Sequence, residues 1–250
     1  MSSLVAAAPG VYLREALAEL RKSARMPQFI IPTIALPPAF YALFALAMNG
    51  GSDEMATRLL ATYGVFAVMG PALFGFGANV AGERESGEFE LKRLSPMPPG
   101  AHITAKLFAT VVFSVIAFAF IYGLAILAGV RLTQVQWALL AAVHVGAVVP
   151  FSLIGLVIGY RFGQKAAIAV ANVAFLGLAV LGGLWMPVTF LPQAIQAVAW
   201  VLPSWHLGEI ALMVVGMADT ANLWLHAGPL VLITIAAAVM AWASQDSNPA

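Results

Sequence analysis

The chain contains no cysteine. That absence removes disulfide scaffolds, thiol nucleophiles and cysteine-ligated metal centres from consideration. Charge is nearly as scarce: of 250 residues, 12 are lysine or arginine and 11 are aspartate or glutamate, or 9% of the chain, against roughly 25% in an ordinary soluble domain. A net charge of +1 leaves no electrostatic footprint for nucleic acid, which needs bases clustered on a soluble face. No Gly-Lys pair occurs, so there is no G-x-x-x-x-G-K-[ST] phosphate loop. The H-E-x-x-H zinc helix and the G-x-S-x-G nucleophile turn are also missing. The N-terminal "MSSLVAAAPGVYLREAL" has its bases after its apolar patch, the reverse of a signal peptide.

What fills the chain instead is apolar: 62% of residues are hydrophobic. No water-soluble fold has enough interior for that much apolar surface, so lipid is the solvent. A membrane-crossing helix needs about 20 mostly apolar residues. Residues 29–48, 59–82, 106–129, 135–159 and 166–186 meet that requirement, and 224–243 is a shorter sixth span. Residues 187–217 are apolar but interrupted by Pro187, Pro192 and Pro203. Proline removes a backbone donor and clashes with the preceding turn, and broken backbone exposed to hydrocarbon is not tolerated. We therefore expect two short helices, 193–202 and 205–215, forming an outer re-entrant hairpin; a seventh span is the competing reading. The expected fold is all-α, a single transmembrane domain over 1–250 with six spans.

Lysine and arginine favour the cytoplasmic side. Arg14, Arg21, Lys22, Arg25, Arg84, Lys92, Arg93, Lys106, Arg161 and Lys165 fall on one side of the six-span arrangement, with only Arg58 and Arg131 on the other. The N-terminus is therefore expected to be cytoplasmic, and with six spans the C-terminus as well. Trp137, Trp185, Trp200, Trp205 and Trp224 fall towards the outer interface, where tryptophan is favoured; packing inside the bundle is the alternative. Residues 11–25 form an expected interfacial helix, with Leu13, Leu17, Leu20 and Ala24 on one face and Arg14, Arg21 and Arg25 on another.

Individual polar residues offer few catalytic leads. His144 lies mid-span, where an ionisable group is a functional candidate, although a neutral imidazole bonded to a neighbouring helix accounts for it equally. His206 and Glu209, one turn apart, could share a proton or a metal. Gly155 and Gly159 permit close helix approach. The spans carry none of the carboxylates expected of an ion-coupled transporter: Asp53, Glu54, Asp219 and Asp246 all lie outside them. Nothing marks the chain as an enzyme.

The exception to this scarcity of charge is "ERESGEFELKRLSP", residues 83–96. Glu83, Arg84, Glu85, Glu88, Glu90, Lys92 and Arg93 crowd into eleven positions on the cytoplasmic side. After Ser86-Gly87, "EFELKRL" reads as a short helix with acids first and bases last, as the helix dipole prefers. Pro96, Pro98 and Pro99 end it. Phe89, the one aromatic among the charges, is the expected anchor for a docking protein.

This stretch resembles the E-R-E-x-G-T-x-E-x-L-x-x-(S/T)-P signature of type-2 ABC exporter permeases, with Glu88 in place of the usual threonine. The segment "GGLWMPVTFLPQAIQAVAWVLPSWHLGEIALMVVG" is similar to that family's glycine-rich span and proline-bounded outer hairpin. The resemblance implies a permease half of an exporter in the bacterial inner (cytoplasmic) membrane, without its own ATPase or cofactor. ATP and magnesium would sit on two copies of a separate ABC ATPase subunit. A second permease chain, taken as a homodimer, would complete the pathway. Residues 83–99 would be the cytoplasmic coupling loop. Glu83, Arg84, Glu85 and Gly87 match the motif, and Phe89, Leu91 and Arg93 lie on the coupling helix after it. The expected cargo is an amphiphile such as a drug, antibiotic or lipid. Polysaccharide export and ion-coupled secondary transport are the alternatives.

Overall fold

A computed structural model describes residues 9–25, 27–48, 52–94, 98, 100–218, 220 and 222–246. Among these residues there is no strand, as expected of a chain whose backbone polar groups must be satisfied without water. The helices are α1 (Pro9–Ala24), α2 (Pro27–Tyr41), α3 (Asp53–Phe76), α4 (Ala78–Glu85), α5 (Glu88–Leu94), α6 (Ala101–Leu127), α7 (Gln134–Gly146), α8 (Val148–Arg161), α9 (Gln164–Leu181), α10 (Gln193–Ala199), α11 (Pro203–Val215) and α12 (Leu223–Asp246).

Every span expected from the sequence is helical, with adjusted ends. The first is α2 continued through a π-helical turn, Ala42–Ala47. The second is α3 carried on past Gly77 into α4, giving one path of 33 residues from Asp53 to Glu85. Ser52 starts it by accepting a hydrogen bond from the Met55 N–H at 3.3 Å, and Asp53 and Glu54 occupy the first turn. The fourth span is two helices, α7 and α8, meeting at Ala147. Pro150 has no N–H to offer the preceding turn, which accounts for a break there. Among the described residues five helices are long and apolar enough to cross a membrane, and the first expected span appears as a shorter apolar helix, Thr33–Ala47. The α10–α11 pair, bent by 82°, passes only if it is counted as one broken span.

The centre of the bundle is α3. It is wrapped by α2, α6, α8 and α11, and nearly every residue from Ala56 to Phe76 is buried. Phe66 stacks on Phe175 of α9 with ring centroids 4.7 Å apart and meets Trp185 edge-on. Gly155 and Gly159 of α8 pack directly on the α3 backbone: a Cβ on Gly159 would lie 2.5 Å from the Phe76 carbonyl oxygen. The close approach that the two glycines permit is thus used. By contrast α9 and α12 turn large apolar side chains outward, among them Val173, Leu232 and Trp242.

In α1 a third face joins the two read from the sequence. Leu13 and Leu17 point away from the protein, as do Arg14, Arg21 and Arg25, whereas Ala16, Glu19 and Ser23 face it and are buried. Of the five tryptophans expected towards the outer interface, Trp200 and Trp224 are exposed, whereas Trp137 packs against Tyr122 and Trp185 against Phe40.

Long-range contacts fix how the chain runs. Arg161, at the end of α8, donates to the Ser244 hydroxyl near the end of α12 at 2.9 Å, and the N–H of Gln164, opening α9, donates to Glu85 at 2.9 Å. The end of α4, the end of α8, the start of α9 and the end of α12 thus share one end of the bundle. Between α9 and α12 the chain forms the α10–α11 pair, bent by 82°.

Candidate functional site

The charged stretch is not a solvated loop. Glu83, Arg84 and Glu85 form the last turn of α4, so the region taken as a loop over 83–99 begins inside a helix. Each of these three side chains reaches a different part of the bundle. The Glu83 carboxylate, only 2% exposed, accepts from Lys22 of α1 at 2.7 Å, from Lys106 of α6 at 2.7 Å and from His102 of α6 at 2.9 Å. Arg84 donates to the carbonyl oxygens of Gly159 and Tyr160 at 2.9 and 2.6 Å, covering the C-terminal end of α8. Glu85 accepts from Gln164, covering the N-terminal end of α9. The last two contacts put positive charge on helix carbonyls and negative charge on helix N–H groups, as the helix dipole favours.

Around Glu83 the charges form a closed network. Lys106, 2% exposed, also donates to Glu19 at 2.6 Å. Lys22 also donates to Glu88 of α5 at 2.7 Å, which ties the short surface helix to the same cluster. Burial works against the charge on Lys22, but hydrogen bonds to Glu83 and Glu88 and the charge of both carboxylates outweigh it. Its pKa is held above the ordinary lysine value. Removing one member of a buried ion pair leaves its partner uncompensated, at a cost of about 3–5 kcal/mol. The network is therefore a lock joining α1, α4, α5 and α6.

Phe89, expected as the docking anchor, is half-buried: its ring stands edge-on to His102 and Tyr160, at centroid distances of 6.1 and 6.3 Å. The outward apolar residues of α5 are Leu91 and Leu94, 70% and 82% exposed. They lie three apart and so share a helix face. Gly87 opens the turn before α5 with φ of 75°, a left-handed conformation that residues with a Cβ rarely adopt. The Arg93 side chain and residues Ser95, Pro96 and Pro99 lie outside what the structure describes.

Sequence reasoning overlooked Glu19, Lys22, His102 and Lys106 as site residues. A signal existed: Glu15, Glu19 and Lys22 recur at helical spacing, and Lys106 sits in the second turn of an otherwise apolar span. The two histidine candidates resolve as packing. His144 is fully buried; its Nε2 donates to the Ala61 carbonyl at 3.1 Å, so its Nδ1 accepts from the Tyr122 hydroxyl at 3.0 Å. Gly64 leaves the space its ring occupies. His206 donates to the Trp200 carbonyl at 2.9 Å and meets His226 at 3.2 Å, beneath Trp200 and Trp205. That partner lies twenty positions along the chain from His206. Among the described residues no group of three or more His, Asp or Glu is placed to hold a metal.

Comparison with known proteins is consistent with this arrangement. A family model described as "ABC-2 family transporter protein" matches residues 13–243. The Bacillus subtilis (strain 168) protein named "Putative transport permease YvfS" is 29% identical over 204 residues, covering 80% of this chain and 83% of that protein.

Proposed function

We propose that this chain, which belongs to the ABC-2 family of transporter permeases, works as the membrane-spanning half of an ATP-driven exporter. The observation that carries the proposal is α5. It is a short surface helix with two exposed leucines, joined through Glu88 and Lys22 to a buried ion network. A partner that seats on Leu91 and Leu94 and moves would displace α4 and, through it, α1, α6, α8 and α9 together. A separate ABC ATPase subunit is that partner, in two copies, with ATP and magnesium bound to it and none required on this chain. A second permease chain, in the simplest case an identical one, completes the pathway. Exposed apolar side chains on α6, α9 and α12 supply surface for both lipid and that second chain.

In this proposal the charged end faces the cytoplasm, in accord with the distribution of lysine and arginine. The α10–α11 hairpin dips into the outer leaflet, and the membrane is the bacterial inner membrane. The cargo is an amphiphile moved outward; apolar outer surfaces and the lack of an outer domain favour it over a polysaccharide. The carboxylates of the second span, Asp53, Glu54, Glu83 and Glu85, stand in its end turns and not along its middle, which speaks against ion coupling.

The test is reconstitution. The chain alone should hydrolyse no ATP; co-expressed with its ATPase it should purify as a stable complex whose hydrolysis drives transport. Hydrolysis by the chain alone, or failure to associate with any ATPase, overturns the proposal. A single cysteine at exposed Ser52 should react with an impermeant thiol reagent in intact cells. Ser204, the other serine suited to such a probe by sequence, is buried and should stay unlabelled.

A further inference from the structure

The end of the bundle opposite the ion network carries few charges, among them Asp53, Glu54, Arg58 and Arg131. Arg58 lies in the second turn of α3, half-buried, and among the described residues no carboxylate or carbonyl pairs with its guanidinium. Glu54, one turn earlier and at the i, i+4 spacing that commonly forms an ion pair, does not pair with it. Arg58 lines two adjoining cavities, of about 480 and 470 Å³, which also share Ser52 and Met55. The larger is walled by Phe44, Met48, Trp185 and Phe190, three of which expose much of their surface. A guanidinium presents a fork of donors that matches a carboxylate or phosphate. Here it stands unpaired beside an apolar chamber large enough for part of a drug-sized ligand.

We infer that this chamber is a binding site for an anionic amphiphile, with its carboxylate or phosphate on Arg58 and its tail against Phe44, Trp185 and Phe190. The inference builds on the exporter proposal by giving the cargo a sign: the site favours an acid over its neutral ester. Glu54, at the mouth of the smaller cavity, opposes the anion and sets an upper limit on affinity.

Trp185 is a reporter inside the site. The full chain, in phosphatidylcholine nanodiscs without any ATPase, is titrated with 9,10-dibromostearate and with its methyl ester. The buffer is held at about pH 9, well above the carboxylate range. Bromine quenching is read as the part of the emission lost in Trp185→Phe. The acid should quench at about fivefold lower concentration than the ester, the size expected of one partly exposed ion pair. Arg58→Gln should abolish that difference, Arg58→Lys should keep part of it, and Glu54→Gln should widen it. Equal quenching by acid and ester in the parent, or a preference that survives Arg58→Gln, overturns the inference; a guanidinium that merely reaches for water gives the first result. Adding phosphatidylglycerol to the nanodiscs separates two sources of the anion. Competition assigns the site to a lipid headgroup, and lack of competition to a single-chain acid; both keep the anion site. No ATPase takes part, so failure here leaves the exporter proposal standing, and failure of reconstitution leaves the anion site standing.

Discussion

The two ends of the bundle use charge in opposite ways. At one end Glu83, Lys106 and Glu19 are almost completely buried and paired with one another, and Arg84 and Glu85 are spent on helix ends. At the other, Arg58 has no carboxylate or carbonyl partner among the described residues and lines two cavities. An ion whose hydrogen-bonding capacity is met inside the protein contributes rigidity, because any rearrangement must first expose or orphan a charge. An ion left unpaired contributes binding capacity. The comparison shows that the density of charge in a sequence does not reveal which of the two is present.

The largest effect should come from orphaning the lock. Glu83→Ala leaves Lys106 and Lys22 without a shared acceptor and should cost about 3–5 kcal/mol. In practice this would appear as a lower unfolding temperature and loss of a monodisperse peak in detergent. If Glu83→Ala is as stable as the parent, the network is not a lock, and the contrast between the ends fails.

Next in size is an effect on association alone. Leu91→Ser with Leu94→Ser should weaken binding of the ATPase by about 2 kcal/mol or more, as loss of a central interface anchor does, while the unfolding temperature stays within error. Phe89→Ala should do the reverse in kind and lower stability, since its ring packs on His102 and Tyr160. Unimpaired assembly of the double serine variant would move the docking surface away from α5.

A smaller change is expected from Glu85→Ala. Its carboxylate is exposed and caps one helix start, so the loss should be about 0.5–1 kcal/mol, seen as a modest shift in unfolding temperature that salt diminishes. Arg58→Gln, at the opposite end, should change stability by less than about 0.5 kcal/mol, because it has no partner to lose. A clear destabilisation there would show that Arg58 is structural.

The smallest effect is a flat one. Lys22 has a pKa raised above its ordinary 10.5 in the folded chain. The stability it contributes is fully present below that ordinary value and is lost only as pH rises through the raised one. Unfolding temperatures at about pH 7 and pH 9 should therefore agree as far as Lys22 is concerned, with a decline appearing only in strongly alkaline buffer.

Much of the fold was legible because it depends on local regularities. An apolar run of about 20 residues dictates a span. Pro192 and Pro203 dictate breaks, and α10 and α11 begin within a residue or two of where those prolines put them. The stretch from Glu83 marked the end that carries the site. The network itself was not legible. Glu83 finds Lys22 61 positions away and Lys106 23 positions away, and Glu85 finds Gln164 79 positions away, so no local pattern relates them. Nor could the sequence show that Phe89 turns inward while Leu91 and Leu94 turn out, since a helix offers every direction and only its neighbours select one. Composition determined the solvent and the helices. Tertiary structure decided which charges became structure and which remained available, because a buried charge is tolerable only where partners from other helices converge on it.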